Sequence, residues 1–222
     1  MSSVPFVLLA GAGLGPWIWE PLKGELPHCF VYDAEGQPLP QRVEGLEAWV
    51  RQNFNRPVVL VAHSAGALLA LELTGRAPDL VQGVVFLGAL LPQHGQSYVS
   101  KLPFPQSVIM PLVLRLAGTL PPESVLRASL GTFLTPAQLA RLVAEHRQEH
   151  PSLFVGRLQS PAHAKKRLYV VLTEDKAVAP ALQRQQVQGW STAEGTTLAS
   201  GHLPMLTHAQ DLARMLADFG QG

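Results

Sequence analysis

The sequence predicts an α/β fold, an open sheet of about six mostly parallel strands with helices on both faces and a helical cap. Three observations carry this. Short unbroken apolar runs such as Val58 to Ala62 read as strands buried on both faces. These runs alternate with segments of helical apolar spacing, the pattern of right-handed β-α-β crossovers. One stretch, about Leu91 to Lys166, breaks the alternation with proline-punctuated helical pieces and no convincing strand. The expected division is a core of residues 1–90 and 167–222 and a cap of residues 91–166.

The elements follow in order. Met1 to Gly15 is apolar, but it has no basic start and is far too short to span a membrane, so it reads as a first strand, Phe6 to Ala10, and not as a signal peptide. It runs into Gly11-Ala12-Gly13-Leu14-Gly15. A glycine-rich turn followed by Asp33 at the end of the next strand, Phe30 to Asp33, mimics a dinucleotide fingerprint, but the third glycine would fall on Pro16 and the bulky Trp17-Ile18-Trp19 sits where a helix should pack closely. The other reading is a loop whose backbone N–H, that of Ala12, faces an oxyanion.

Arg42 to Phe54 carries Val43, Leu46, Trp49, Val50 and Phe54 at helical spacing and reads as a structural surface helix. Next comes Pro57 to Gly66, in which the strand Val58 to Ala62 meets the apolar helix Ala65 to Gly75 with no room for a loop. A serine at so sharp a corner needs small residues two before and two after it, here Ala62 and Gly66, which makes Ser64 the candidate nucleophile of an elbow with the Ala65 N–H beside it. The competing reading is a buried structural serine. Further strands are expected at Gly83 to Ala89, Arg167 to Thr173 and, more weakly, Gly195 to Ser200. Further helices are expected at Val108 to Ala117, Thr135 to His150, Pro180 to Gln188 and Thr207 to Phe219, with capping boxes at Thr135/Gln138 and Thr207/Gln210 and a stop at Gly220.

A serine hydroxyl needs a base, and the base needs an anionic partner. Of the eight histidines, His202 lies in a turn between the last strand and the last helix, on the edge where Ser64 sits. His63 adjoins the serine, but its side chain is expected to point elsewhere. In the order Ser, Asp, His the acid is Asp79 or Asp175, and Asp175 follows a strand at the carboxyl edge, with Glu174 second. A turn aspartate and a satisfied loop histidine are the plainer alternative. His146-Arg147-Gln148-Glu149-His150 matches a zinc-protease pattern, but Pro151 follows at once and no third ligand is evident downstream, so it reads as a charged end of a cap helix.

Composition sets the surroundings. The chain of 222 residues is 47% hydrophobic and 15% charged, as one compact domain requires, and its net charge of +1 has no long single-sign runs to suggest nucleic acid or an anionic membrane. Its single cysteine, Cys29, permits no internal disulfide and points to a reducing, cytoplasmic setting.

Gly11-Ala12, Trp17-Ile18-Trp19, Val61 to Gly66, Thr173-Glu174-Asp175-Lys176 and Gly201-His202 together resemble the α/β-hydrolase fold, in particular its plant methylesterase and hydroxynitrile lyase branch. The resemblance covers the core well and the cap poorly, and the first two strands of the full family sheet are missing. It implies Ser64 as nucleophile, Asp175 and His202 as its partners, and Ala12 and Ala65 as oxyanion donors. The histidine that usually precedes the oxyanion-loop glycine is Ala10 here, which leaves the rigidity of that loop without its usual source. The lyases carry a threonine where this chain has Gly11 and a lysine where it has Leu203, and both differences favour an esterase.

The expectation is a serine esterase acting on a small, neutral, moderately apolar ester without metal or organic cofactor. Trp17, Phe104, Met110 and Leu203 are the candidate substrate-binding residues. A lyase or other nonhydrolytic enzyme on the same triad, or a ligand-binding, receptor-like module, are the alternatives.

Overall fold

A computed structural model describes residues 4–33, 36–189 and 194–221, so the first three residues of the first apolar run lie outside it. Six parallel strands, β1 (Phe6–Leu9), β2 (Cys29–Tyr32), β3 (Val58–His63), β4 (Val81–Leu87), β5 (Lys166–Leu172) and β6 (Glu194–Leu198), form one sheet in the order β2-β1-β3-β4-β5-β6. Because β2 pairs on one side of β1 and β3 on the other, the winding reverses between β1 and β3, and a crevice opens at their carboxyl ends.

Both faces of the sheet are covered, which is why β1, β3 and β4 read as continuous apolar runs. Leu8, Val61 and Val170 point into one apolar layer, shared with α1 (Glu20–Glu25), α9 (Pro204–Thr207) and α10 (Ala209–Gln221). Val7, Leu60 and Phe86 point into the other, beneath α2 (Leu39–Asn53) and α3 (Ala67–Arg76). A final helix against the sheet, α8 (Pro180–Gly189), links β5 to β6.

The segment from β4 to β5 holds α4 (Gln106–Ala117), α5 (Glu123–Leu130), α6 (Pro136–Glu145) and α7 (Ser152–Val155), and its strand-like pairing among described residues is one isolated bridge, Ser97 to Arg157. Thr135 and Gln138 cap α6 reciprocally with Pro136 in its first turn.

Four expectations are corrected. α6 ends at Glu145, and His146 turns the backbone extended, so the His146 to His150 stretch is no helix end but a separate strap. The last helix begins at Ala209: Thr207 closes the short α9, its hydroxyl donating to the Leu203 carbonyl at 3.2 Å, while the Gln210 amide donates to Glu25, so no capping box forms there. That helix also runs on to Gln221, with Gly220 inside it against the Phe6 ring, where a Cβ would lie 2.8 Å away. Finally, the apolar spacing of the expected helix Val108 to Ala117 reads as a buried cap face, but most apolar residues of α4 form neither cap core nor cavity wall. The helix packs on the short turn Val99–Lys101 and leaves Val108, Ile109, Leu112 and Leu116 in solvent.

Candidate active site

The segments that follow β1, β3, β5 and β6 meet at the carboxyl edge of the sheet. At the end of β3 the chain turns straight into α3 with Ser64 at φ +50°, a left-handed conformation that costs a non-glycine residue on the order of 1–3 kcal/mol. Close approach of β1 explains the small neighbours: a Cβ at Gly66 would lie 2.6 Å from the Ala10 carbonyl oxygen, and one at Gly11 2.9 Å from the Ser64 Cβ. The Ala65 N–H belongs to the first turn of the following helix, where amides have no intrahelical acceptor.

His202 and Asp175 are brought together. His202 Nδ1 lies 2.7 Å from Asp175 Oδ2, with both residues almost fully buried. An ionised carboxylate only accepts, so Nδ1 carries the proton and Nε2 is left as the free base. Asp175 is held rigidly: Oδ1 accepts from the N–H groups of Ala177 (2.7 Å) and Val178 (3.0 Å), and Oδ2 also accepts from Gln183 Nε2 (2.8 Å). The fully buried Gln183 returns its oxygen to the Leu172 N–H at 2.9 Å, locking the end of β5 to α8. Gly88, at φ +51°, leaves space for this pair, since a Cβ there would stand 3.0 Å from Asp175 Oδ2. Asp79 is exposed near the opposite end of the strands and pairs with Arg51. Glu174 donates its N–H to the Ser200 carbonyl.

His63 does not point away from the site. Its buried ring packs 4.6 Å, centroid to centroid, from that of His202, and Nε2 donates to the His202 carbonyl at 2.8 Å. Burial, aided by the neighbouring His202, drives the His63 pKa well below its ordinary 6.5, so the ring is neutral. Above that ordinary value both folded and unfolded states are neutral at His63 and stability is indifferent to it; as pH falls below 6.5 the unfolded chain takes up a proton that the folded ring refuses, and stability is lost. His146, lowered by burial, adds in the same direction. Melting temperature is therefore expected to fall as pH is lowered from 7 to 5, and to fall less steeply in His63→Asn. An unchanged slope would remove His63 as a cause.

Ser64 and His202 share a cavity of about 300 Å³ whose walls include Leu102, Met110, Leu114, Leu126, Leu130 and Phe154. Tyr98, a residue that no motif signalled, also lines it, its ring edge-to-face with Phe154. Burial pushes the Tyr98 pKa up to about 12, opposed by hydrogen bonding with the Ser64 side chain, so the phenol stays protonated. No Lys or Arg is among the lining residues.

Of the four residues expected to bind substrate, Met110 lines this cavity and three do not. Trp17 is buried in a core layer with the Arg141 guanidinium 4.6 Å over its ring, because the turn Pro16–Trp19 directs it toward α6. Leu203 is fully buried in the same layer, and Phe104 is 83% exposed ahead of α4. Among the described residues no group of three or more His, Cys, Asp or Glu side chains is placed to hold a metal, and no helix is long and apolar enough to cross a membrane.

The sequence matches the profile of the alpha/beta hydrolase family over residues 6–215. It is similar to salicylic acid-binding protein 2 of Nicotiana tabacum, at 27% identity over 96% of this chain and 95% of that protein, and to methylesterase 17 of Arabidopsis thaliana, at 24% over 91% and 86%. Among solved structures, an extracellular alpha/beta-hydrolase from a Paenibacillus species superposes with a TM-score of 0.81 at 19% identity, covering 99% of this chain and 100% of that one.

Proposed function

Because the chain belongs to the alpha/beta hydrolase family, we propose that it is a serine hydrolase that cleaves a small, neutral, moderately apolar carboxylic ester. The observation that carries this reading is that Ser64 and His202 face one cavity while Asp175 holds the far nitrogen of His202. In this reading Ser64 Oγ attacks the acyl carbonyl as its proton passes to His202 Nε2. The N–H groups of Ala12 and Ala65 hold the resulting oxyanion. Collapse expels the alcohol, which takes the proton from His202. Water, deprotonated by the same nitrogen, then releases the acid and restores Ser64. The helical segment of residues 91–166 acts as the cap that walls the site. The names of the relatives agree with ester chemistry, one being called a methylesterase. The single cysteine supports a reducing, cytoplasmic setting.

Hydrolysis is favoured over lyase chemistry by the absence of room for any side chain at Gly11 beside Ser64, and by a buried leucine at position 203 where the lyases place a lysine. Neutral substrates are favoured because the cavity walls offer an anionic group no Lys or Arg partner, whatever the name of the salicylic acid-binding relative implies for that protein.

Each methylene buried in the cavity contributes about 0.8 kcal/mol. Across p-nitrophenyl esters of increasing acyl length, kcat/KM is therefore expected to rise about three- to fourfold per methylene and to fall once the cavity is full. A carboxylate-bearing ester of equal length should be poorer by about tenfold or more. A flat series, or preference for the charged ester, would place the substrate elsewhere.

A further inference from the structure

The stretch His146 to His150, which mimics a zinc motif in sequence, lies instead against the glycine-rich turn after β1. Its contacts converge on Gly13. Glu149 Oε1 accepts the Gly13 N–H at 2.8 Å, and the Arg147 N–H donates to the Gly13 carbonyl at 3.0 Å. A Cβ on Gly13 would lie 2.3 Å from the His146 ring, so the strap fits only a glycine. Glu149 itself is fixed from three sides. Its Oε2 pairs with the buried Arg42 of α2, whose Nε donates to the Gln37 carbonyl. Its backbone N–H and C=O both bond the Thr119 hydroxyl, at 2.9 and 2.7 Å.

We propose that Glu149 is a positioning residue for catalysis, a buried carboxylate that sets the loop carrying the Ala12 N–H. The reason lies in the turn itself. Leu14 donates its N–H to the Gly11 carbonyl at 3.2 Å, closing a four-residue turn with Ala12 and Gly13 at its centre. The Gly11 carbonyl and the Ala12 N–H belong to one peptide plane, so this bond aims the Ala12 N–H to the other side of the turn. Gly13 has φ +71°, as a type II turn demands at its third residue. Type I and type II turns differ in the orientation of the central peptide, here Ala12–Gly13, and Glu149 grips the N–H of that peptide. Without the grip the central peptide is free to flip and the turn that aims Ala12 slackens. Oxyanion donors act through fixed placement, and losing one typically costs about 10²- to 10³-fold in kcat. Partial loss of placement should cost less.

The inference rests on the serine hydrolase reading, and the experiment separates the two. A fluorophosphonate is first applied to the wild-type protein; failure to label Ser64 would remove the underlying reading. With labelling established, kcat and KM are measured on one neutral p-nitrophenyl ester for Glu149→Ala, Glu149→Gln and a control, Glu72→Ala. Glu72 is an equally buried carboxylate that accepts from the N–H groups of Gln159 and Ser160, on α3 and away from the loop. Glu149→Ala is expected to lower kcat about 10- to 100-fold with KM within about threefold. Glu149→Gln, which keeps an acceptor oxygen for the Gly13 N–H, should recover to within about fivefold of wild type. Glu72→Ala should lose stability and keep kcat. If Glu149→Ala does not fold, Arg42→Met is read instead: it removes the partner that steers the carboxylate and should lower kcat about tenfold at unchanged KM. A Glu149→Ala that matches Glu72→Ala in kcat, or an Arg42→Met within about twofold of wild type, overturns the proposal.

Discussion

Replacing Ser64 by alanine is expected to abolish ester hydrolysis, a loss of about 10⁴-fold or more in kcat, with the fold intact. In the proposed reading the hydroxyl supplies the attacking oxygen, and it opens onto the same cavity as the His202 ring. The elbow tolerates the change because the Cβ is retained, and it is the Cβ that abuts Gly11. Alanine accepts φ +50° no better than serine, so melting should shift little. The check is hydrolysis of a neutral p-nitrophenyl ester by purified Ser64→Ala whose circular dichroism and melting match wild type. Full activity in that protein would show that Ser64 is a buried structural serine.

Asp175→Asn is expected to cost about 10³- to 10⁴-fold in kcat. An asparagine facing His202 Nδ1 can present its amide N–H there, which places the imidazole proton on Nε2 and removes the base. The environment makes this orientation hard to avoid without further loss, because the two Asp175 oxygens accept four hydrogen bonds, from Ala177, Val178, Gln183 and His202. An amide nitrogen in place of either oxygen meets donors, so a stability loss of about 1–3 kcal/mol should accompany the loss of rate. Asp79→Asn should be near neutral, since Asp79 is exposed and pairs with Arg51 on the surface. A large loss from Asp79→Asn with none from Asp175→Asn would show that the acid is misassigned.

The sheet was legible because strands buried on both faces leave apolar runs that end abruptly, and each end marks a place on the carboxyl edge. Ser64, Asp175 and His202 could be named from those ends together with the small residues of the elbow and the order Ser, Asp, His. What supports them could not. Arg42 and Glu149 are 107 positions apart, and each read as an ordinary charged residue, one on a surface helix and one at a supposed helix end. Tyr98 sits in a proline- and glycine-rich stretch with no periodicity. Gln183 lies on a helix whose buried face is polar because it must satisfy Asp175 and the end of β5. The apolar residues of α4 misled for a physical reason: hydrophobic spacing says that a face is apolar, not that anything covers it, and here only Met110 and Leu114 of that helix line the cavity. Trp17 and Leu203 misled in the opposite way, lying just after the glycine-rich turn and next to His202 in sequence while their side chains turn into the core.

The central claim is that Ser64 is a nucleophile activated by His202 and Asp175. Incubation with a fluorophosphonate probe, followed by proteolysis and mass mapping, tests it most directly. The expected result is one adduct, on Ser64, that fails to form in His202→Ala and is blocked by prior turnover of a slow neutral ester. No adduct on the folded wild-type protein, or an adduct on another residue with Ser64 unmodified, would contradict it.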